Sequence, residues 1–121
     1  SSQARELSAL KTELKCAADI ELDLDIALPL GLVLSELISN SIKHAYKNIE
    51  EPIIFIEVNG EEPNYQMTLR DNGIGLPKGF SFETNDSLGM EIIGALIEQI
   101  DASIVAENKS GACFTISFKN K

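Results

Sequence analysis

One stretch limits what this chain can fold into more than any other. From Leu28 to Tyr46 it is apolar enough to be buried, yet a polar stripe runs through it. Placed on a helix at ~100° per residue, Glu36, Asn40, Lys43, His44 and Lys47 fall within about a quarter turn of one another, while Leu34, Leu37, Ile38, Ile42 and Ala45 cover the opposite side. A helix packed over most of its circumference and open along one stripe has the form of a ligand-site floor. Asp25 is placed to cap it, Pro29 to sit in its first turn, and Glu50, Glu51 and Pro52 to end it.

The chain of 121 residues suits one domain, and 44% hydrophobic with 24% charged residues is ordinary for a globular fold. Ten Lys plus Arg against 19 Asp plus Glu give a net charge of -9, which argues against DNA or RNA as a partner. A small phosphorylated ligand remains open, because backbone amides, a metal and a few local cations can hold one. Cys16 and Cys113 form no Cys-x-x-Cys pair, so the sequence indicates neither a zinc site nor a disulfide framework, and a cytoplasmic, reducing setting is the simplest expectation. No uninterrupted apolar run approaches the ~20 residues that span a bilayer.

In chain order, residues 1–18 carry Gln3, Leu7, Leu10, Leu14 and Ala17 at spacings of four and three. This predicts a helix, either the end of an upstream dimerisation-type helix or a terminal helix packed on its own domain. Residues 19–121 then form the main domain. Asp19 to Asp25 alternates as a strand does. A helix follows, then strand-like runs Ile53 to Asn59 and Tyr65 to Asp71 joined by a hairpin-length connection, with Tyr65, Met67 and Leu69 on the packed face. A loop rich in Gly, Pro, Ser and Asn runs from Asn72 to Asp86, with Phe80 and Phe82 embedded. Ser87 to Ile100 is helical with a seam of Met90, Ile93, Ile97 and Ile100, and Asp86 or Ser87 caps it. Two strands, Ser103 to Asn108 and Cys113 to Lys119, close the chain. The order predicts an α+β two-layer sandwich: one mixed sheet with helices on one face.

Three constellations carry chemistry. Asp71-x-Gly73-x-Gly75 follows a strand directly; its glycines let the backbone approach a ligand, and the carboxylate can accept from an amine, although a plain strand-ending turn has the same pattern. Ser87-Leu88-Gly89-Met90 opens a helix and so offers backbone donors to an anion, or a simple cap. Glu36 and Asn40, one turn apart, suit the sparse oxygen coordination of magnesium beside phosphates; a hydrogen-bonded polar pair is the bland alternative. His44, the only histidine, fits a capping or packing role near the helix end better than direct chemistry.

These motifs in this order, Glu36-x-x-x-Asn40-x-x-Lys43-His44-Ala45, then Asp71-x-Gly73-x-Gly75, then Ser87-Leu88-Gly89-Met90, then Gly111-Ala112-Cys113-Phe114-Thr115-Ile116, resemble the ATP-binding catalytic domain of sensor histidine kinases. That family belongs to the GHKL superfamily, with its Bergerat-type fold, and the match runs from about Ile20 to Phe118. The Lys-His-Ala ending is similar to the subgroup with short nucleotide lids, as is the short loop from Leu76 to Asp86.

The resemblance implies ATP and Mg2+ as cofactors. Asn40 would ligate magnesium, and Glu36 would orient water or act as general base. Asp71 would hold the adenine amino group above Gly73 and Gly75, and Thr115 would support the base. Lys43 and His44 would lie near phosphates or ribose, and Lys78 would be a weaker phosphate contact. Ser87, Leu88, Gly89 and Met90 would bring backbone amides to the phosphates. It also implies a histidine on an upstream helix of the same or a partner chain as acceptor, a response regulator downstream, a homodimeric full-length protein, and a cytoplasmic domain whose parent chain is soluble or membrane-anchored. Two departures stand out. Ser87 replaces the first glycine of the usual second glycine motif, and no acceptor histidine is present, since His44 lies inside the nucleotide motif. The rival readings are an anti-sigma-type serine kinase and a non-catalytic nucleotide-binding interaction module.

Overall fold

A computed structural model describes residues 10–16, 19–82 and 87–120. Its elements are β1 (Lys11–Cys16), α1 (Leu24–Asn40) continuing into a π-helical turn (Ser41–Ala45), β2 (Ile53–Glu61), β3 (Asn64–Asp71), α2 (Leu88–Gln99), β4 (Ser103–Asn108) and β5 (Ala112–Lys119). The five strands form one mixed sheet in the order β1-β2-β3-β5-β4. β1 runs parallel to β2 and every other pair is antiparallel. The expected α+β sheet with its helices is therefore what the chain forms.

Strand alternation sorts the side chains into two faces. Ile54 and Ile56 of β2, Met67 and Leu69 of β3, and Phe114, Ile116 and Phe118 of β5 are buried against Val33 and Leu37 of α1 and Met90, Ile93 and Ile97 of α2. The seam expected for α2 holds to Ile100, which is also buried. The other sheet face is polar or partly open, with Arg70 over the ring of Phe55 at 5.1 Å and Thr68 opposite Thr115. Because β3 and β5 lie between other strands, whatever stands at their ends is held from both sides.

Three local expectations change. Residues 11–16 form a strand, not the end of a helix; Thr12, Leu14 and Cys16 alternate with Lys11, Glu13 and Lys15, and pairing with β2 decides between that period and the short four-three spacing. Residues 1–9, 17 and 18 lie outside the described residues. The alternating Asp19–Asp25 stretch is not a strand: Ile20 and Leu22 pack on the core, but the backbone is held by one side chain. Asn120 accepts from the Asp23 amide at 2.9 Å and donates to the Glu21 carbonyl at 3.0 Å, so no ladder forms. α1 consequently starts earlier, with Asp23 at its N-cap, Asp25 in its first turn, and Pro29 within the helix, one turn further in than expected.

With its π turn, the α1 helix spans Leu24–Ala45 at a mean hydropathy of 1.3, long and apolar enough by those measures to cross a membrane. It is here a core helix, with Val33 and Leu37 wholly inaccessible.

Candidate functional site

The site begins where three chain ends meet: the carboxyl end of α1, the end of β3, and the start of β5. A helix end leaves carbonyl acceptors without N–H donors inside the helix. Here the Ala45 carbonyl receives the Ile74 amide at 2.9 Å, which draws the Asp71–Gly75 loop onto the helix end. The approach is close enough that a Cβ on residue 73 would sit 2.3 Å from the Ala45 oxygen, so Gly73 is required by packing. Gly75 is required by conformation, at φ +87°.

Asp71 is only 4% exposed, and three donors hold its carboxylate. The amides of Gly73 and Ala112 each donate to Oδ1 at 3.0 Å, and the Ser41 hydroxyl donates to Oδ2 at 3.0 Å. A carboxylate has about four acceptor positions, so one lone pair on Oδ2 stays free. Asp71 lines a cleft of about 340 Å3, within the size range of small-molecule sites. Leu37, Met90 and Phe114 give that cleft apolar walls, and Asn40, His44 and Ser87 give it polar edges. Tyr46 lies buried behind the carboxylate; burial first, and the Asp71 charge second, push its phenol well above the usual range. It stays neutral and donates to the Ile53 carbonyl at 2.8 Å.

A second polar corner lies where α1 meets α2. Ser87 caps α2, accepting from the Met90 amide at 3.2 Å, and its carbonyl receives Glu91 at 3.1 Å. The Leu88 and Gly89 amides therefore have no acceptor within the helix. A Cβ at residue 89 would come 2.9 Å from Glu36 Oε2, so the carboxylate rests directly against the start of α2. The side chains of Glu36 and Asn40 make no hydrogen bond to each other or to another described residue, so the polar-pair alternative is not realised. Their oxygen donors fit a hard cation that draws its other ligands from phosphates and water, and no cluster of three His, Cys, Asp or Glu side chains offers a rival cage among the described residues.

Not every expected residue arrives. Asn40, His44, Asp71, Gly75, Ser87 and Met90 line the cleft, with Glu36 and Gly89 at its edge. Lys43 and Lys47 are exposed and do not line it, because the wider π turn breaks the straight-helix projection that aligned them with Asn40. Lys78 is exposed in a turn, and Leu88 is exposed and does not line the cleft. Thr115 falls on the other side of the sheet, since strand alternation puts Ala112 and Phe114 toward the cleft. Asp86 lies outside the described residues.

Three residues with structural roles here escape sequence reasoning. Asn108, at the end of β4, accepts from the Leu76 amide at 2.7 Å and donates to the Leu76 carbonyl at 3.3 Å, clamping the loop beyond Gly75. Asn72 accepts from Ile53 at 2.9 Å and donates to the Glu51 carbonyl at 2.8 Å, tying the same loop to the start of β2. Ser41 is invisible to helical projection because the π turn aims it. Phe80 also lines the cleft; it packs edge-on against Phe82 at 5.2 Å, and Phe82 meets Phe114 at 5.9 Å, anchoring the loop by its aromatics.

Known proteins share this fold. Residues 25–121 match the family model described as "Histidine kinase-, DNA gyrase B-, and HSP90-like ATPase". Over 72 residues, 58% of this chain, the sequence is 36% identical to the sensor histidine kinase PdtaS of Mycobacterium tuberculosis and 35% identical to that of Mycolicibacterium smegmatis. The aligned part is 14% of each relative's length. Among solved structures, the histidine kinase domain of the Erythrobacter litoralis EL346 blue-light activated histidine kinase superposes with a TM-score of 0.82 at 18% identity, covering 98% of this chain and 57% of that one. The Acinetobacter baumannii histidine kinase AdeS gives 0.74 at 21%, covering 99% and 60%. With the family model spanning the helix floor, the Asp71 loop and the capped second helix alike, the chain belongs to the histidine kinase-, DNA gyrase B- and HSP90-like ATPase family.

Proposed function

We propose that this chain is the ATP-binding catalytic domain of a two-component sensor histidine kinase, moving the ATP γ-phosphoryl group to a histidine on an acceptor helix of the same or a partner chain. The observation that carries the reading is Asp71: a buried carboxylate with three donors already in place and one lone pair facing an apolar-walled cleft. An adenine amino group satisfies that lone pair, and Leu37, Met90 and Phe114 supply the low-dielectric walls in which the hydrogen bond discriminates.

The phosphates would then run toward Asn40, Glu36 and the open amides of α2, where helix polarity favours negative charge. Asn40 would hold magnesium, which supplies charge neutralisation on the phosphates when bound. Glu36 stands beside the α2 amides and accepts the imidazole proton as the N–P bond forms and the bond to the β-phosphate oxygen breaks; the freed ADP leaves with the electron pair. His44 borders the cleft, and it serves the nucleotide rather than acting as the phosphoryl acceptor.

On this reading a response regulator takes the phosphoryl group next, the full-length protein pairs through its acceptor helices, and the domain works in the cytoplasm. Titration calorimetry tests it. Asn40→Ala should weaken MgATP binding by about tenfold or more, leave magnesium-free ATP binding unchanged, and leave the unfolding midpoint within a degree or two. An unchanged MgATP titration in the folded variant would sink the assignment.

A further inference from the structure

β1 lies at one edge of the sheet, with one side bonded to β2 and the other open. All six of its residues are exposed. Leu14 is 72% exposed although it is registered with the buried Ile56 and so faces the helix side, which means that no helix overhangs this edge. The Lys11 amide donates to the Pro52 carbonyl at 3.0 Å, and that bond fixes the parity of the ladder. Lys11, Glu13 and Lys15 turn their amides and carbonyls to β2, whereas Thr12 and Leu14 turn theirs outward. An open edge invites pairing, and the charges along it decide with what. Here they alternate in sign, Lys11, Glu13 and Lys15, and none of the three has an ion-pair partner among the described residues. The opposite edge, β4, carries a single charge, Glu107, which is already paired with Lys109 at 3.4 Å.

We propose that β1 pairs antiparallel with β1 of a second copy of this chain, Leu14 opposite Leu14 and Glu13 of each copy opposite Lys15 of the other, so that two five-stranded sheets join into one. The inference does not depend on the kinase reading and differs from pairing through acceptor helices. Backbone and charge select this register together. Only outward-turned residues exchange hydrogen bonds across an antiparallel pair, so Thr12 and Leu14 must meet even-numbered residues of the other copy. A two-fold pair centred on Glu13 sets that carboxylate against itself, and one centred on Lys15 brings two ammonium groups together; both are repelled. Centred on Leu14, the pair puts Leu14 in the hydrogen-bonded position and Glu13 against Lys15 twice, in the closer non-bonded positions where opposite charges attract. Such an isologous contact uses up the edge on both copies, so growth stops at two. Six residues a side bury less than the ~1,000 Å2 of a stable interface, so the dimer is a weak one. No residue of β1 or β2 lines the Asp71 cleft, so pairing leaves it open.

Sedimentation equilibrium of the 121-residue chain tests the pairing. Between about 10 μM and about 1 mM the chain should pass from monomer to dimer with no larger species, and the dimer should weaken as salt rises. Glu13→Lys and Lys15→Glu should each stay monomeric over that range, because each sets like charges opposite one another. An equimolar mixture of these two variants should dimerise again, since every charge in one chain then faces its opposite in the other. The double variant Glu13→Lys with Lys15→Glu should dimerise by itself. Far-UV circular dichroism and the unfolding midpoint, unchanged in each variant, show that loss of the dimer is not loss of the fold. In the unaltered chain, the outward-turned Thr12 and Leu14 amides should exchange with solvent about tenfold more slowly at the high end of the concentration range than at the low end. A chain that stays monomeric over the whole range would overturn the proposal. So would single variants that dimerise as the unaltered chain does, a mixture that remains monomeric, or assemblies larger than two.

Discussion

Asp71 illustrates how one residue serves fold and site together. Its carboxylate gathers the π turn, the following loop and β5 through Ser41, Gly73 and Ala112, so the groups that orient it for a ligand are the ones that close the fold around it. Hydrogen bonds to a charged acceptor contribute about 1.5–3 kcal/mol each, and Ser41→Ala should therefore lower both stability and nucleotide affinity, read by denaturant unfolding and calorimetry in the same samples. Asn108 works at one remove. Losing its paired bonds to Leu76 in Asn108→Ala should cost about 1–2 kcal/mol and weaken ATP and ADP alike, because it positions the loop and does not line the corner between α1 and α2. Tyr46 adds a pH dependence with a definite sign. Its phenol is raised above the ordinary 10.0 in the folded state, so the stability it contributes is complete below that value and is lost as pH rises beyond it. Tyr65, raised mainly by its hydrogen bond to Glu62, acts in the same direction. Alkaline unfolding curves of Tyr46→Phe should fall less steeply above about pH 10 than those of the unaltered chain.

At the scale of elements, α1 explains what the sequence could and could not reveal. Its core side was legible because Val33 and Leu37 follow a 3.6-residue period, and α2 was legible to its last seam residue for the same reason. The Asp71 loop was legible because glycine at 73 and 75 marks backbone that side chains cannot occupy. The π turn was not, since one extra residue per turn leaves no compositional mark, and it moved Lys43 and Lys47 off the stripe while turning Ser41 toward Asp71. Thr115 failed for a different reason: motif spacing fixes position along a strand, whereas the face depends on register, and register puts Phe114 toward the cleft. Asn120, Asn72 and Asn108 act through long-range contacts that no local pattern announces. Helix propensity supplies a clean test at this scale. Gly94 stands inside α2, exposed, with nothing within 4 Å of where its Cβ would be. Gly94→Ala should thus stabilise the domain by about 0.5–1 kcal/mol, visible as a higher unfolding midpoint with nucleotide affinity unchanged.

Across the whole molecule, stability and function are distributed unevenly over the sheet. β3 and β5 are paired on both sides and bury Met67, Leu69, Phe114, Ile116 and Phe118 beneath the helices, so their amides open only when the core opens. β1 is the contrary case: an edge strand, exposed along its full length, attached by a single parallel pairing to β2. Asp71 is placed at the end of the well-held β3, whereas the loop beyond Gly75 is fastened by Asn108 and a few aromatic contacts. The Asp71 end of the cleft is therefore set by the rigid part of the fold and its cover by the weaker part. Native-state hydrogen exchange should rank the amides accordingly, with β3 and β5 slowest and near the global unfolding free energy, and β1 and the Leu76–Phe82 stretch exchanging through local opening at far lower cost. Adding MgATP should slow the Leu76–Phe82 amides and those opening α2 while leaving β1 unchanged, because ligand binding stabilises only the openings that break its contacts. Equal slowing of β1 would mean that the sheet edge and the cleft open as one unit, contrary to the division drawn from their burial.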